Sequence, residues 1–166
     1  GCHTPVDIVL QSCDGHLIGG HTRNLEMFGE AFPASRDAAA PNEPIPLAER
    51  AEVLHLLLHY MHCVPQPPLH SIPDRLFRDF TDAVEKYGVH AAGQVCDLRM
   101  RASTTRAPLM VLRYALRYGH ADLLAAAAPL TIAYSCAEAR PWLPEPDIFV
   151  QWVRRVPRPP PAAYTA

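Results

Sequence analysis

Three of the nine histidines fall in one helix-compatible run. His55, His59 and His62 stand at i, i+4 and i+7 in Leu54-His55-Leu56-Leu57-Leu58-His59-Tyr60-Met61-His62, with Cys63 next. Side chains so spaced share one side of a helix and can offer imidazole nitrogens to a transition metal. A zinc-protease pattern would require a glutamate where Leu56 stands, and no carboxylate is evident to orient the ligands from behind. The expectation is a polar helix flank. A metal-binding protein or metal-dependent enzyme using His55, His59 and His62 is the alternative reading.

The remaining reactive side chains make weaker patterns. Cys13 and His16 form a Cys-x-x-His across an Asp-Gly turn, with Cys2 and His3 as the nearest further ligands, which is half of a zinc signature. His21 precedes a helix and is expected to hydrogen-bond rather than catalyse. Asp79, Asp82 and Glu85 recur along one helix, but acid/base work needs surroundings that split their pKa values, and a solvated face supplies none. No nucleophile elbow, phosphate-cradling glycine loop or dinucleotide fingerprint occurs. We therefore expect no enzyme, no catalytic residue, no cofactor and no small-molecule substrate.

The elements that carry these residues begin with residues 6 to 32. Asp7-Ile8-Val9-Leu10-Gln11-Ser12 is β-rich, and its contiguous apolar residues predict a strand buried on more than one side. Asp14-Gly15 predicts a two-residue type I′ turn. His16 to His21 is the returning strand, and Gly19-Gly20 marks a close approach of backbone. Thr22 is the expected cap of a helix with Leu25, Met27 and Phe28 on its apolar stripe. Residues 33 to 46 read as a mobile, proline-broken loop, with Ile45-Pro46-Leu47 as a short edge strand.

Leu54, Leu57, Leu58 and Met61 repeat at helical spacing and predict a helix over 51–63, about 20 Å long. Pro65, Pro67 and Pro68 stop it. A weak repeat follows at an offset of 31. Phe80 to Tyr87-Gly88 leads to a second helix through Ala91, Val95, Leu98 and Met100. Val111 to Tyr118-Gly119 leads to another through Leu123, Leu124 and Ala127. Glycine after tyrosine supplies a left-handed helix stop, so each unit is expected to be an antiparallel helical hairpin stacked on its neighbour. Asp147 to Val156 predicts a last amphipathic helix. The proline-rich residues 157–166 are expected to be disordered, with Arg154, Arg155, Arg158 and Pro159-Pro160-Pro161 as a weaker candidate for docking a proline-recognising module.

The ordered set Asp7-Ile8-Val9-Leu10, Asp14-Gly15, His21 before a helix with Leu25 and Phe28, the leucine helix ending in Tyr60-Met61-His62, and Ala83 to Tyr87-Gly88-Val89 resembles the BTB/POZ domain. It resembles in particular the BTB-domain proteins of basidiomycete fungi. The likeness covers about residues 6–102, and residues 107–156 resemble the helices that follow the domain in those proteins. It implies an α+β fold in which a small sheet caps a cluster of helices, with further C-terminal helices as an extension. Only five residues of this sequence precede Val6, so the helix and strand that dimeric zinc-finger BTB domains exchange are not expected within it. Neither a transcription factor nor a classical substrate receptor is expected from these residues, which contain no zinc finger or kelch repeat.

The resemblance implies a protein–protein interaction module that self-associates or serves as an adaptor or scaffold, with itself or a cullin-type scaffold as partner. The contact candidates are Leu25, Met27, Phe28 and Phe32, together with Trp142 and Trp152, because buried apolar anchors dominate interfaces. Composition agrees with that class. At net charge −2 no long-range field marks nucleic acid or an anionic membrane as partner. Lys86 is the single lysine among fifteen basic residues, and arginine suits interfaces better. Five irregularly spaced cysteines read as reduced thiols. With 166 residues the chain buries roughly 70% of its unfolded surface without staples. No apolar run approaches the ~20 residues of a bilayer span and no leader is evident, so a cytoplasmic or nuclear location is expected. Gly1 in place of Met leads us to expect further residues ahead of it.

Overall fold

The computed structural model describes residues 5–32 and 43–155. Of the expected mobile loop 33–46, residues 33–42 lie outside the described residues, as do the proline-rich tail, Cys2, His3 and Arg158. The fold is α+β and dominated by helices, and among the described residues no helix is long and apolar enough to cross a membrane. The chain divides into two compact units, Gly1–Arg99 and Met100–Ala166.

In the first unit, β1 (Ile8–Gln11) and β2 (Leu17–Gly20) pair antiparallel with Leu10 opposite Ile18. Ile8, Leu10 and Ile18 are buried, Val9 is half-buried, and Val6 and Leu17 are exposed. The apolar run of β1 thus marks a strand covered mainly on one face, as in a hairpin laid on a core. The turn is longer than two residues. Ser12 N–H donates to the His16 carbonyl at 3.0 Å and Gly15 N–H to the Ser12 carbonyl at 2.9 Å, which leaves Cys13-Asp14-Gly15 as the loop. Gly15, at φ +84°, closes it in the left-handed conformation typical of three-residue hairpins.

Helix α1 (Thr22–Phe28) has His21, not Thr22, at its N-cap position. The capping oxygen comes from the neighbouring strand: Thr22 N–H donates to Asp7 Oδ1 at 2.7 Å and the Thr22 hydroxyl to the same oxygen at 3.2 Å. Buried His21 places Nδ1 3.0 Å from the Pro5 carbonyl, a structural bond as expected. β3 (Ile45–Pro46) adds to the free side of β1 in parallel, giving the order β2-β1-β3 with proline on an edge strand.

Helix α2 (Ala51–Tyr60) is shorter than 51–63 and buries Val53, Leu54, Leu57 and Leu58. α3 (Asp74–Tyr87) buries Phe77, Phe80, Ala83, Val84 and Tyr87 on a stripe of helical period. Gly88, at φ +64°, ends it as expected. α3 lies along α2 rather than along α4 (His90–Ser103), so the first repeat unit is not a closed helical hairpin. α4 buries Ala92, Cys96 and, as expected, Met100, and exposes Ala91, Val95 and Leu98, three residues expected on its apolar face. Burial, reinforced by Glu85, pushes the Cys96 thiol up to about 12, which keeps it protonated and inert. Arg99 returns to the start of α3, donating to the carbonyls of Leu69 and Ile72 and to Asp74, with its guanidinium over the Phe77 ring.

In the second unit, α5 (Pro108–Tyr118), the left-handed Gly119 and α6 (Ala121–Ala127) do form a packed helical pair. α7 (Cys136–Ala139) opens on a Ser135/Glu138 capping box, and α8 is Pro146–Arg155. Arg113, buried on α5, pairs with Glu145 just before α8.

Candidate functional site

The last turn of α1 and the four residues after it build a surface cleft in the first unit. Leu25 anchors the helix at 1% exposure, whereas Met27 is 60% exposed and Phe28 half-buried. Gly29 leaves the helix in extended backbone, and a Cβ there would stand 3.0 Å from the Phe32 ring and 3.1 Å from Met61. A glycine lets the chain pass that closely.

Glu30 and Ala31 then dock on the end of α3. Both backbone N–H groups donate to the Tyr87 carbonyl, at 2.9 and 3.3 Å, satisfying one of the carbonyls that a helix C-terminus leaves without an internal partner. Gly88 accommodates this approach twice over. Its φ is left-handed, and a Cβ would lie 3.0 Å from Glu30 Cβ. Phe32 stacks on the Tyr87 ring at 4.0 Å and 19°. Below that stack the Tyr87 hydroxyl donates to Glu49 Oε2 at 2.6 Å, while Lys86 Nζ bonds Glu49 Oε1 at 2.8 Å. Burial, then the Glu49 carboxylate, raises the Tyr87 pKa and keeps the phenol a donor.

The result is a cleft of about 540 Å³ lined by Glu26, Met27, Phe28, Gly29, Glu30, Phe32, Gly88 and His90. Its lining is mixed, with the side chains of Met27, Phe28 and Phe32 beside charged groups; Glu30 Oε1 stands 2.8 Å from His90 Nε2, both side chains largely exposed. Among the described residues Glu26 makes no ion pair. The lining offers apolar area, two carboxylates and an imidazole, groups suited to recognising a side chain.

Three of the six expected contact residues, Met27, Phe28 and Phe32, meet in this cleft. Leu25 and Trp152 do not belong to a surface. Leu25 packs in the core, and Trp152, 1% exposed, donates its indole N–H to Thr131 Oγ1 at 3.1 Å within the second unit. Trp142 is half-buried in that unit. His55 and His59 are exposed on α2, and His62 turns away, its Nδ1 2.6 Å from the Leu58 carbonyl and its ring edge against His21. Among the described residues no three His, Cys, Asp or Glu side chains are placed to hold a metal ion. Cys13 is exposed, His16 stands 3.6 Å from Asp14, and Asp79 pairs with Arg78.

Neither the models of known protein families nor the curated proteins searched with this chain yield a match. The geometry therefore carries the functional reading. Sequence reasoning missed Glu26, Glu30, Gly88 and His90 as cleft residues. Gly88 was readable as a helix stop, but Glu30 and His90 are 60 positions apart and no local pattern joins them.

Proposed function

We propose that the chain is a BTB/POZ-like protein-interaction module serving as an adaptor or scaffold, and that the cleft between the end of α1 and the α3–α4 junction is its contact surface. The observation that carries this reading is the convergence of Met27, Phe28 and Phe32 on one preformed cleft. Preformation matters because a site ordered in advance loses less entropy on binding. Gly29, Gly88 and the Phe32–Tyr87 stack supply it. The BTB-like part of the proposal rests on the order of elements: an Asp7 strand, a hairpin that brings His21 to the head of α1, a leucine-rich α2 and an α3 ending in Lys86-Tyr87-Gly88. A cullin-type scaffold and a second copy of the chain are the partners that this resemblance implies.

Affinity capture with quantitative mass spectrometry, comparing the natural chain with Met27→Asp, tests the module reading. A partner recovered by the first and lost by the second is the expected result. Equal recovery by both chains would remove the cleft from the interface. Sedimentation across concentration decides self-association, since a monomer at every concentration excludes the second copy as partner.

A further inference from the structure

We infer that the cleft takes a short stretch of partner protein in which one apolar side chain stands next to a lysine or arginine; this rests on the interaction-module reading above. Size sets the first half of the inference. About 540 Å³ lies within the range of sites that enclose a small ligand or a few side chains, and it is too little to seat a folded element. The walls that such a side chain meets are Met27, Phe28 and Phe32. The thioether of Met27, at 60% exposure, adapts to aliphatic or aromatic guests alike.

Charge sets the second half. The rim carries the carboxylates of Glu26 and Glu30, and the lining's other ionisable group is the imidazole of His90, already directed at Glu30. Glu26 makes no ion pair among the described residues, and the nearest basic residue in the chain is Arg23, one turn earlier on α1. A guest cation next to the apolar side chain would meet Glu26 and share Glu30, whereas a guest carboxylate would meet two like charges. Complementarity of this kind selects partners more strongly than it raises affinity.

The test is a titration of the full-length ¹⁵N-labelled chain, followed by amide shifts, with three synthetic heptapeptides: Ser-Gly-Arg-Leu-Arg-Gly-Ser, its Glu-Leu-Glu counterpart and its Arg-Ser-Arg counterpart. The first is expected to move the amides of Met27, Gly29, Glu30 and Gly88 while the other two leave them in place. Glu26→Lys, on an exposed position, is expected to weaken that binding about fivefold, the scale of a partly exposed charge contact, with the rest of the spectrum unchanged. Equal shifts from all three peptides, shifts from Arg-Ser-Arg alone, or no shift from any would overturn the proposal. Shifts that follow protein concentration without peptide would overturn it in favour of a second copy as occupant. The two readings fail separately: a partner lost with Met27→Asp in the capture experiment, together with a negative peptide titration, keeps the interaction module and discards the cation-flanked class.

Discussion

Asp14 Oδ1 accepts a 2.9 Å hydrogen bond from the backbone N–H of Ala51, so the tip of the β1–β2 hairpin caps α2 from 37 positions away. Hydrogen bonding from Ser12, then from Ala51, holds the Asp14 carboxyl at about 2, below its ordinary 3.8. A depressed folded-state pKa contributes stability that is present above pH 3.8 and is lost as pH falls toward 2. Asp14→Ala is therefore expected to lower Tm at neutral pH and to flatten its acid-side dependence, while Asp14→Asn, which keeps an acceptor, retains more of the cap. Thermal unfolding from pH 2 to 7, with carboxyl shifts followed by NMR, checks both. An Asp14 titration midpoint near 4 would contradict the cap.

Gly88 and Gly119 both end helices in the left-handed region, at φ +64° and +78°, but their surroundings differ. A Cβ at Gly119 meets nothing within 4 Å, whereas one at Gly88 runs into Glu30. Gly119→Ala is expected to cost about 1 kcal/mol for the backbone conformation alone. Gly88→Ala should cost more, about 2 kcal/mol or above, because segment 30–32 must also shift. Urea unfolding of the two variants gives the comparison, and equal losses would show that Glu30 moves aside freely.

The two Tyr-Gly stops were legible in the sequence because glycine after a helical stripe acts locally. The α2 leucine stripe and the β3 edge strand were legible for the same reason: period and proline placement are short-range signals. The first repeat unit departed from a hairpin because α3 had a better apolar partner in α2. On α4 the expected stripe of Ala91, Val95, Leu98 and Met100 competes with Ala92-Cys96-Met100, and packing buries the second, which shares only Met100 with the first. The Asp7 cap, the Glu30 and Ala31 bonds to Tyr87 and the Phe32–Tyr87 stack join residues far apart in the chain. No periodicity encodes such pairings. The candidate cleft was accordingly half visible, its apolar residues predicted and its charged rim not.

In the second unit Arg113 is 4% exposed and bonds Glu145 through Nε at 3.0 and 3.1 Å, with Arg117 adding a 2.7 Å contact. Burial raises the Glu145 pKa, but hydrogen bonds from Arg113 outweigh it and hold the carboxyl below its ordinary range. Glu145→Gln would remove the carboxylate charge that Arg113 and Arg117 share. The expected loss is about 2–4 kcal/mol, toward the lower end because Glu145 keeps some solvent contact. That loss belongs to neutral pH and shrinks as pH falls below the ordinary 4.5 through the depressed folded-state pKa, since protonation removes the same charge. Urea unfolding at pH 7 and pH 3 measures it, and an identical loss at both would assign the effect to packing.

Leu25 and Met27 stand two residues apart on α1 and face opposite environments, 1% against 60% exposed. Leu25→Ala is expected to cost about 2–5 kcal/mol, the usual range for emptying a core leucine site. Met27→Ala, with little buried area to lose, should stay within about 0.5 kcal/mol of the natural chain. Their effects on partner capture should be reversed once each protein is assayed well below its own Tm. Leu25→Ala leaves the cleft lining in place and retains binding in proportion to the folded fraction, whereas Met27→Ala removes a wall of the cleft and loses binding at full stability. Circular dichroism melts paired with quantitative capture separate the two. If Met27→Ala binds as well as the natural chain, the contact surface lies elsewhere on the module.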